Sequence, residues 1–194
     1  MDSIFNSTEK NPRGIPAAPF VEDPEQFIKD PSDFEMVFGK FQERLSMYKY
    51  MQESKAASVK QLRVRIPDIE HTLRVCERLQ ESEEPELELN YQLNDTLYTR
   101  ATVKTAADAS GEVPKVGLWL GADVMLEYPV PEALELLAQK LKDAEQSLEL
   151  ATEDVEFLRE NITTMEVNCA RLYNWDVERR QAQRAAEATK DLKI

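Results

Sequence analysis

Two seams of apolar residues constrain this chain more than any other feature. From Phe34 the apolar positions step by four and three through Phe38, Phe41, Leu45 and Tyr48. They pass polar Gln52 and Lys55 and resume at Val59, Leu62, Ile66, Ile69, Leu73 and Cys76. A second series runs through Leu134, Leu137, Leu141, Ala144, Leu148, Ala151, Val155, Leu158, Ile162, Met165, Cys169 and Leu172 without a miss. The mean step is about 3.5 residues, the period of a left-handed coiled-coil seam. Each series predicts a helix of roughly 50 residues, or about 75 Å at 1.5 Å per residue. Their equal lengths, and the short segment between them, predict that the two helices pair with each other, antiparallel. If both leave that segment at one level, facing residues have numbers that sum to about 213.

Local signals place the helices at 32–84 and 130–182. Ser32 with Glu35 three residues on forms a capping box. Pro131 followed by Glu132 suits a helix start. Pro67 is the one violation, because an interior proline removes a helix hydrogen bond. The seam passes through it unbroken, which predicts a kinked helix and not two helices. The first helix carries Lys55, Lys60, Arg63 and Arg65 opposite Glu149, Glu153, Asp154 and Glu156. Charge complementarity would pin the register more than it would stabilise the fold. Taken alone, the run Glu153, Asp154, Glu156 reads as a solvated helix face.

The intervening segment, 85–129, alternates as strands do. Leu87, Leu89, Tyr91 and Leu93 share one face. Asn94-Asp95 supplies turn chemistry, and Leu97, Thr99, Ala101 and Val103 alternate again. Beyond a small-residue loop from Thr105 to Pro114, expected to be mobile, "VGLWLGADVMLEY" reads as two strands about a Gly121-Ala122-Asp123 turn. Two hairpins of this size are marginal in water without a partner on their apolar faces. Leu97, Val103, Leu118, Trp119, Leu120, Val124 and Leu126 are therefore the expected assembly residues, since exposing them beside unpaired strand edges invites aggregation. The simpler alternative folds the hairpins back on the base of the coil. Residues 1–31 contain Pro12, Pro16, Pro19, Pro24 and Pro31. They predict an extended, weakly docked arm with one helical turn after Pro24. Residues 183–194 read as a tail.

Several function classes are excluded. A net charge of -13 repels a phosphate backbone. No apolar run approaches the roughly 20 residues that span a bilayer. The N-terminus lacks the pattern of a secretory signal, so the expected location is the cytoplasm. There is no Gly-rich phosphate loop, no nucleophile–base arrangement and no ligand cluster around the one histidine, His71, so neither an enzyme nor a cofactor is expected. Cys76 and Cys169 fall on seam positions and read as small buried hydrophobes without a disulfide.

The order helix, two hairpins, helix, with the strings "GIPAAPFVED" (14–23), "RIPDIEHTL" (65–73), "LNDTLYTRATV" (93–103), "VGLWLGADVMLEY" (116–128) and "EVNCARLYNWDVERR" (166–180), resembles an α-class prefoldin subunit. The resemblance covers most of Gly14 to Arg180. It implies a mainly α fold with a small β region, in which the hairpins join those of other subunits in a β-barrel platform. The implied particle is a hetero-hexamer of two α-class and four β-class subunits that holds unfolded actin and tubulin at its coil tips. It would deliver them to the cytosolic chaperonin without ATP, nucleic acid or membrane. The facing rule puts Leu172 opposite Phe41 and Trp175 opposite Phe38, some 70 Å from the platform. Phe34, Phe38, Phe41, Leu172, Tyr173 and Trp175 are the client-binding candidates, either as a grip or as a zipper that stops the ends fraying. Arg179 and Arg180 would favour the dipole of a helix ending there. The alternative from another class is a structural coiled-coil tether between two partners.

Overall fold

In a computed structural model that describes residues 10–28, 31–105 and 113–191, the chain is helix, two hairpins, helix. One turn of helix, α1 (Pro24–Phe27), and a 3-10 turn (Pro31–Asp33) precede α2 (Phe34–Glu81). Strands β1 (Glu86–Asn94) and β2 (Leu97–Lys104) pair antiparallel, as do β3 (Lys115–Gly121) and β4 (Val124–Pro129). They form two separate two-stranded sheets. The last helix, α3, runs Val130–Asp191. The loop expected to be mobile falls mostly on 106–112, outside the described residues.

Helix α2 continues through Pro67. The proline ring removes one N–H from the helix ladder and crowds the preceding turn, at a cost of about 3 kcal/mol. Pro67→Ala is therefore expected to stabilise the chain by roughly 1–3 kcal/mol. An unchanged midpoint in a urea titration followed by circular dichroism would contradict that.

Helix α3 passes the expected end at 182 and reaches Asp191. The added sequence, "QRAAEATKD", is rich in Ala with Gln, Arg, Glu and Lys and holds neither Gly nor Pro. Strong intrinsic propensity extends the helix where no seam residue remains. Tyr173 and Trp175 consequently sit inside a helix and not at its frayed end. Arg179 and Arg180 likewise do not serve a terminus. They bind buried Asp176 one turn earlier, at 2.6 and 2.7 Å.

The chain divides into two compact units. The first combines residues 10–59 with 150–191. Its core holds Phe34, Val37, Phe41 and Tyr48 of α2, Leu158, Ile162, Met165 and Leu172 of α3, and Val21 and Ile28 of the arm. Ion pairs that cross it include Lys49 Nζ to Glu166 Oε1 at 2.7 Å and Lys55 Nζ to Asp154 Oδ2 at 2.9 Å. Both agree, within one helical turn, with antiparallel helices whose facing numbers sum to about 213.

The second unit spans residues 60–149. Here Cys76, Ala133 and Leu137 pack with Leu118 of β3, and Val116 and Tyr128 lie beside them. One face of the second hairpin is thus covered within the chain. Its turn places both Ala122 (φ 50) and Asp123 (φ 59) in the left-handed region. That is the geometry a two-residue hairpin needs to match strand twist.

Candidate functional site

Two surfaces carry the chemistry of this chain, and each belongs to one unit. In the second unit the hairpins present apolar side chains to solvent. Trp119 is 59% exposed and Met125, its cross-strand neighbour, 60%. Leu97, Leu120, Val124 and Leu126 are exposed as well, together with Tyr91, Leu93 and Tyr98. Alternation sorts them, since successive side chains point to opposite faces of a strand. Val103 is half-buried, like Leu87, its cross-strand partner. Leu118 departs from the other assembly candidates, because it is buried against Cys76, Ala133 and Leu137. The fold-back alternative therefore holds for one face of the second hairpin, and the opposite face remains open.

In the first unit the six aromatic and leucine candidates separate by burial. Phe34, Phe41 and Leu172 lie in the core. Phe38 and Trp175 are partly buried against it, and Phe38 stacks on Phe34 with ring centroids 5.4 Å apart. The Arg179 guanidinium sits over the Trp175 ring at 5.3 Å. Tyr173 alone of the six is exposed, at 57%. Phe20, Met36, Met47 and Tyr50 are among the other apolar side chains open to water in the same unit.

The arm is the feature the sequence reading underestimated. It is pinned along α3 by side chains at a stride of seven: Asp154, Asn161 and Asn168, all buried. Asn11 starts the contact with a turn closed by Gly14 (φ 84). The Asn11 Oδ1 accepts the backbone N–H groups of Arg13 and Ile15, and its Nδ2 donates to Asp154 Oδ1 at 2.7 Å. Arg13 Nε donates to the same oxygen at 2.5 Å, and its Nη2 reaches Glu153 at 3.0 Å. Asp154 also faces Lys55. It is no solvated carboxylate but the hub joining arm, α2 and α3.

Further along, the Ala18 N–H donates to Asn161 Oδ1. Asn168 brackets the next stretch, its Nδ2 donating to the Pro19 carbonyl at 2.6 Å and its Oδ1 accepting the Val21 N–H at 2.9 Å. Arg171 Nη1 donates to the Val21 carbonyl at 2.9 Å, and its guanidinium lies 4.8 Å from the Phe20 ring. Tyr48 Oη donates to the Pro16 carbonyl at 2.9 Å. Short polar residues at seven-residue spacing, each one position before Val155, Ile162 or Cys169, were the available signal. At the edge of an apolar seam such groups need partners, and an extended segment supplies main-chain ones.

Burial alone would raise the Asp154 pKa, but donations from Arg13, Lys55 and Asn11 outweigh it and hold the group below the ordinary carboxylate value. A depressed folded pKa gives stability that is present above the unfolded value near 3.9 and is lost as pH falls through the folded value. The arm is thus expected to stay docked at neutral pH and to loosen only in acid below about pH 4. The Val21 amide resonance, followed by NMR from pH 7 downward, checks this. A Val21 shift already complete at pH 5 would contradict it. Burial also pushes both free thiols upward, helped by Glu77 at Cys76 and Glu166 at Cys169, although Lys49 opposes the shift at Cys169.

No helix among the described residues is long and apolar enough to cross a membrane. Comparison with known proteins gives a consistent result. A family model described as prefoldin subunit matches residues 48–175. Prefoldin subunit 3 of Saccharomyces cerevisiae is 66% identical to this chain, covering 100% of both. Prefoldin subunit 3 of Homo sapiens is 42% identical over 86% of this chain and 83% of its own. Among solved structures, filamentous PFD from Methanocaldococcus jannaschii aligns with a TM-score of 0.49 at 16% identity, over 66% of this chain and 98% of that one.

Proposed function

Because this chain belongs to the prefoldin subunit family, we propose that it acts in an ATP-independent hetero-hexamer of two α-class and four β-class subunits. The particle holds unfolded actin and tubulin and passes them to the chaperonin of the cytoplasm. The exposed apolar side chains of the second hairpin, Trp119 and Met125 on one face and Val124 and Leu126 on the other, carry this reading. Contiguous apolar area beside open strand edges is what a subunit of a shared β platform must present. Holding is supported by the first unit, where Tyr173, Tyr50, Met36 and Met47 offer apolar surface. Large aromatic and thioether side chains suit weak contacts with many sequences. Phe34, Phe41 and Leu172 serve that surface from beneath by holding the helices together.

The test combines this chain with β-class subunits and measures mass by light scattering and suppression of the aggregation of denatured actin. A hexamer mass with suppression supports the reading. A chain that stays monomeric in the mixture, or a hexamer that leaves actin aggregation unchanged, refutes it. The second outcome would leave a tether.

A further inference from the structure

We propose that the groove holding the arm is a main-chain-reading site for an extended segment of an unfolded polypeptide, with residues 16–22 of this chain occupying it as a tethered competitor. The inference rests on the holding function above and gives it a specific site. Five side chain contacts carry it. Tyr48, Asn161, Asn168 and Arg171 address the Pro16 carbonyl, the Ala18 N–H, the Pro19 carbonyl, the Val21 N–H and the Val21 carbonyl. Every one of these partners is a peptide group that other sequences also carry.

Asn168 is fully buried, and both ends of its amide serve the arm. A groove with no occupant would leave that amide without those bonds. The demand on side chains is small by comparison. Between Pro16 and Glu22 only Val21 is fully buried, while Phe20 is half exposed. Pro16, Ala17, Ala18 and Pro19 bring little bulk, and proline favours the extended conformation before binding. The occupant this geometry selects is therefore an extended stretch of small or proline residues followed by one buried aliphatic anchor. Recognition by main-chain bonds plus few pockets is how extended peptides are held without a strict sequence.

The competitor has its own latch, separate from the reading residues. Asn11 and Arg13 fasten to Asp154, seven residues before Asn161 on α3. A tethered ligand acts at high effective concentration, so a client segment must displace it. Weakening the latch lowers that barrier without touching Asn161, Asn168 or Arg171.

The experiment uses full-length chain in assembled hexamers, as wild type, Arg13→Ala and Asp154→Asn. Arg13 lies on the arm, so Arg13→Ala keeps the test valid if Asp154→Asn disturbs the helices. A fluorescein-labelled peptide of residues 15–28, which lacks Asn11 and Arg13, is titrated by anisotropy, beside the same peptide carrying Val21→Asp. Capture of guanidinium-unfolded actin is measured in parallel. The latch variants are expected to bind the peptide about tenfold more tightly than wild type and to capture more actin. The Val21→Asp peptide should not bind, and adding Asn168→Ala to Arg13→Ala should abolish peptide binding. Latch variants with a lower melting temperature but no gain in peptide binding would show the arm to be a brace and overturn the proposal. Peptide binding without a gain in actin capture would overturn it too, since the groove would then serve only its own arm. Wild-type hexamers that capture no actin would instead refute the holding function itself.

Discussion

Replacing Trp119 and Leu126 together by Asp is expected to abolish incorporation into a hexamer while leaving the chain's own helices folded. Both residues are exposed in the single chain, at 59% and 47%, so the new charges cost it little on their own. In an assembly the hairpin would have to bury two carboxylates without partners, one on each face, which no apolar contact of that size offsets. Circular dichroism of the chain alone should match wild type, and light scattering of the mixture with β-class subunits should show no hexamer. Leu118→Asp is the informative contrast. Leu118 is buried against Cys76, Ala133 and Leu137, so this substitution should destabilise the chain itself by roughly 3–5 kcal/mol. A normal hexamer from the Trp119, Leu126 double variant would remove the second hairpin as the assembly surface.

Adjacent residues on α3 provide the second test. Leu172→Ala removes a side chain that is 0% exposed and packs in the first unit's core, at an expected cost of about 2–5 kcal/mol. Tyr173→Ser alters a side chain that is 57% exposed and should change stability by less than about 0.5 kcal/mol. If Tyr173 contributes to holding, its variant should capture less denatured actin at unchanged hexamer mass. Adding Trp175→Ser should deepen that loss. It should also lower the melting temperature, because Trp175 is partly buried and lies under Arg179. Capture that falls only in step with melting temperature across all three variants would mean that these residues form a zipper and not a grip.

The sequence determined the two helices, their antiparallel pairing and the two hairpins. The reason is that periodicity is a local property. None of the twelve seam positions from Leu134 to Leu172 is exposed, and Lys55 meets Asp154 as the charge pattern required. The family was legible for a related reason, since "LWLGADVMLEY" and "YNWDV" are long specific strings. Burial of individual side chains was not legible to the same degree. Val37 lies off the seam yet is core, while its neighbour Phe38 lies on the seam and is only partly buried. Only the rotation of each helix about its axis, fixed by all its contacts together, separates them.

The arm marks the limit most clearly. Its prolines announced an extended segment but gave no sign of where that segment would lie. Its partners, Asp154, Asn161 and Asn168, stand more than 130 residues away in the chain. Hydrogen bonds to main-chain atoms leave no complementary pattern in the arm's own side chains. Only the tertiary structure could decide that two buried Asn side chains, Asn161 and Asn168, were waiting for a backbone, because the peptide groups they bind are the same at every residue.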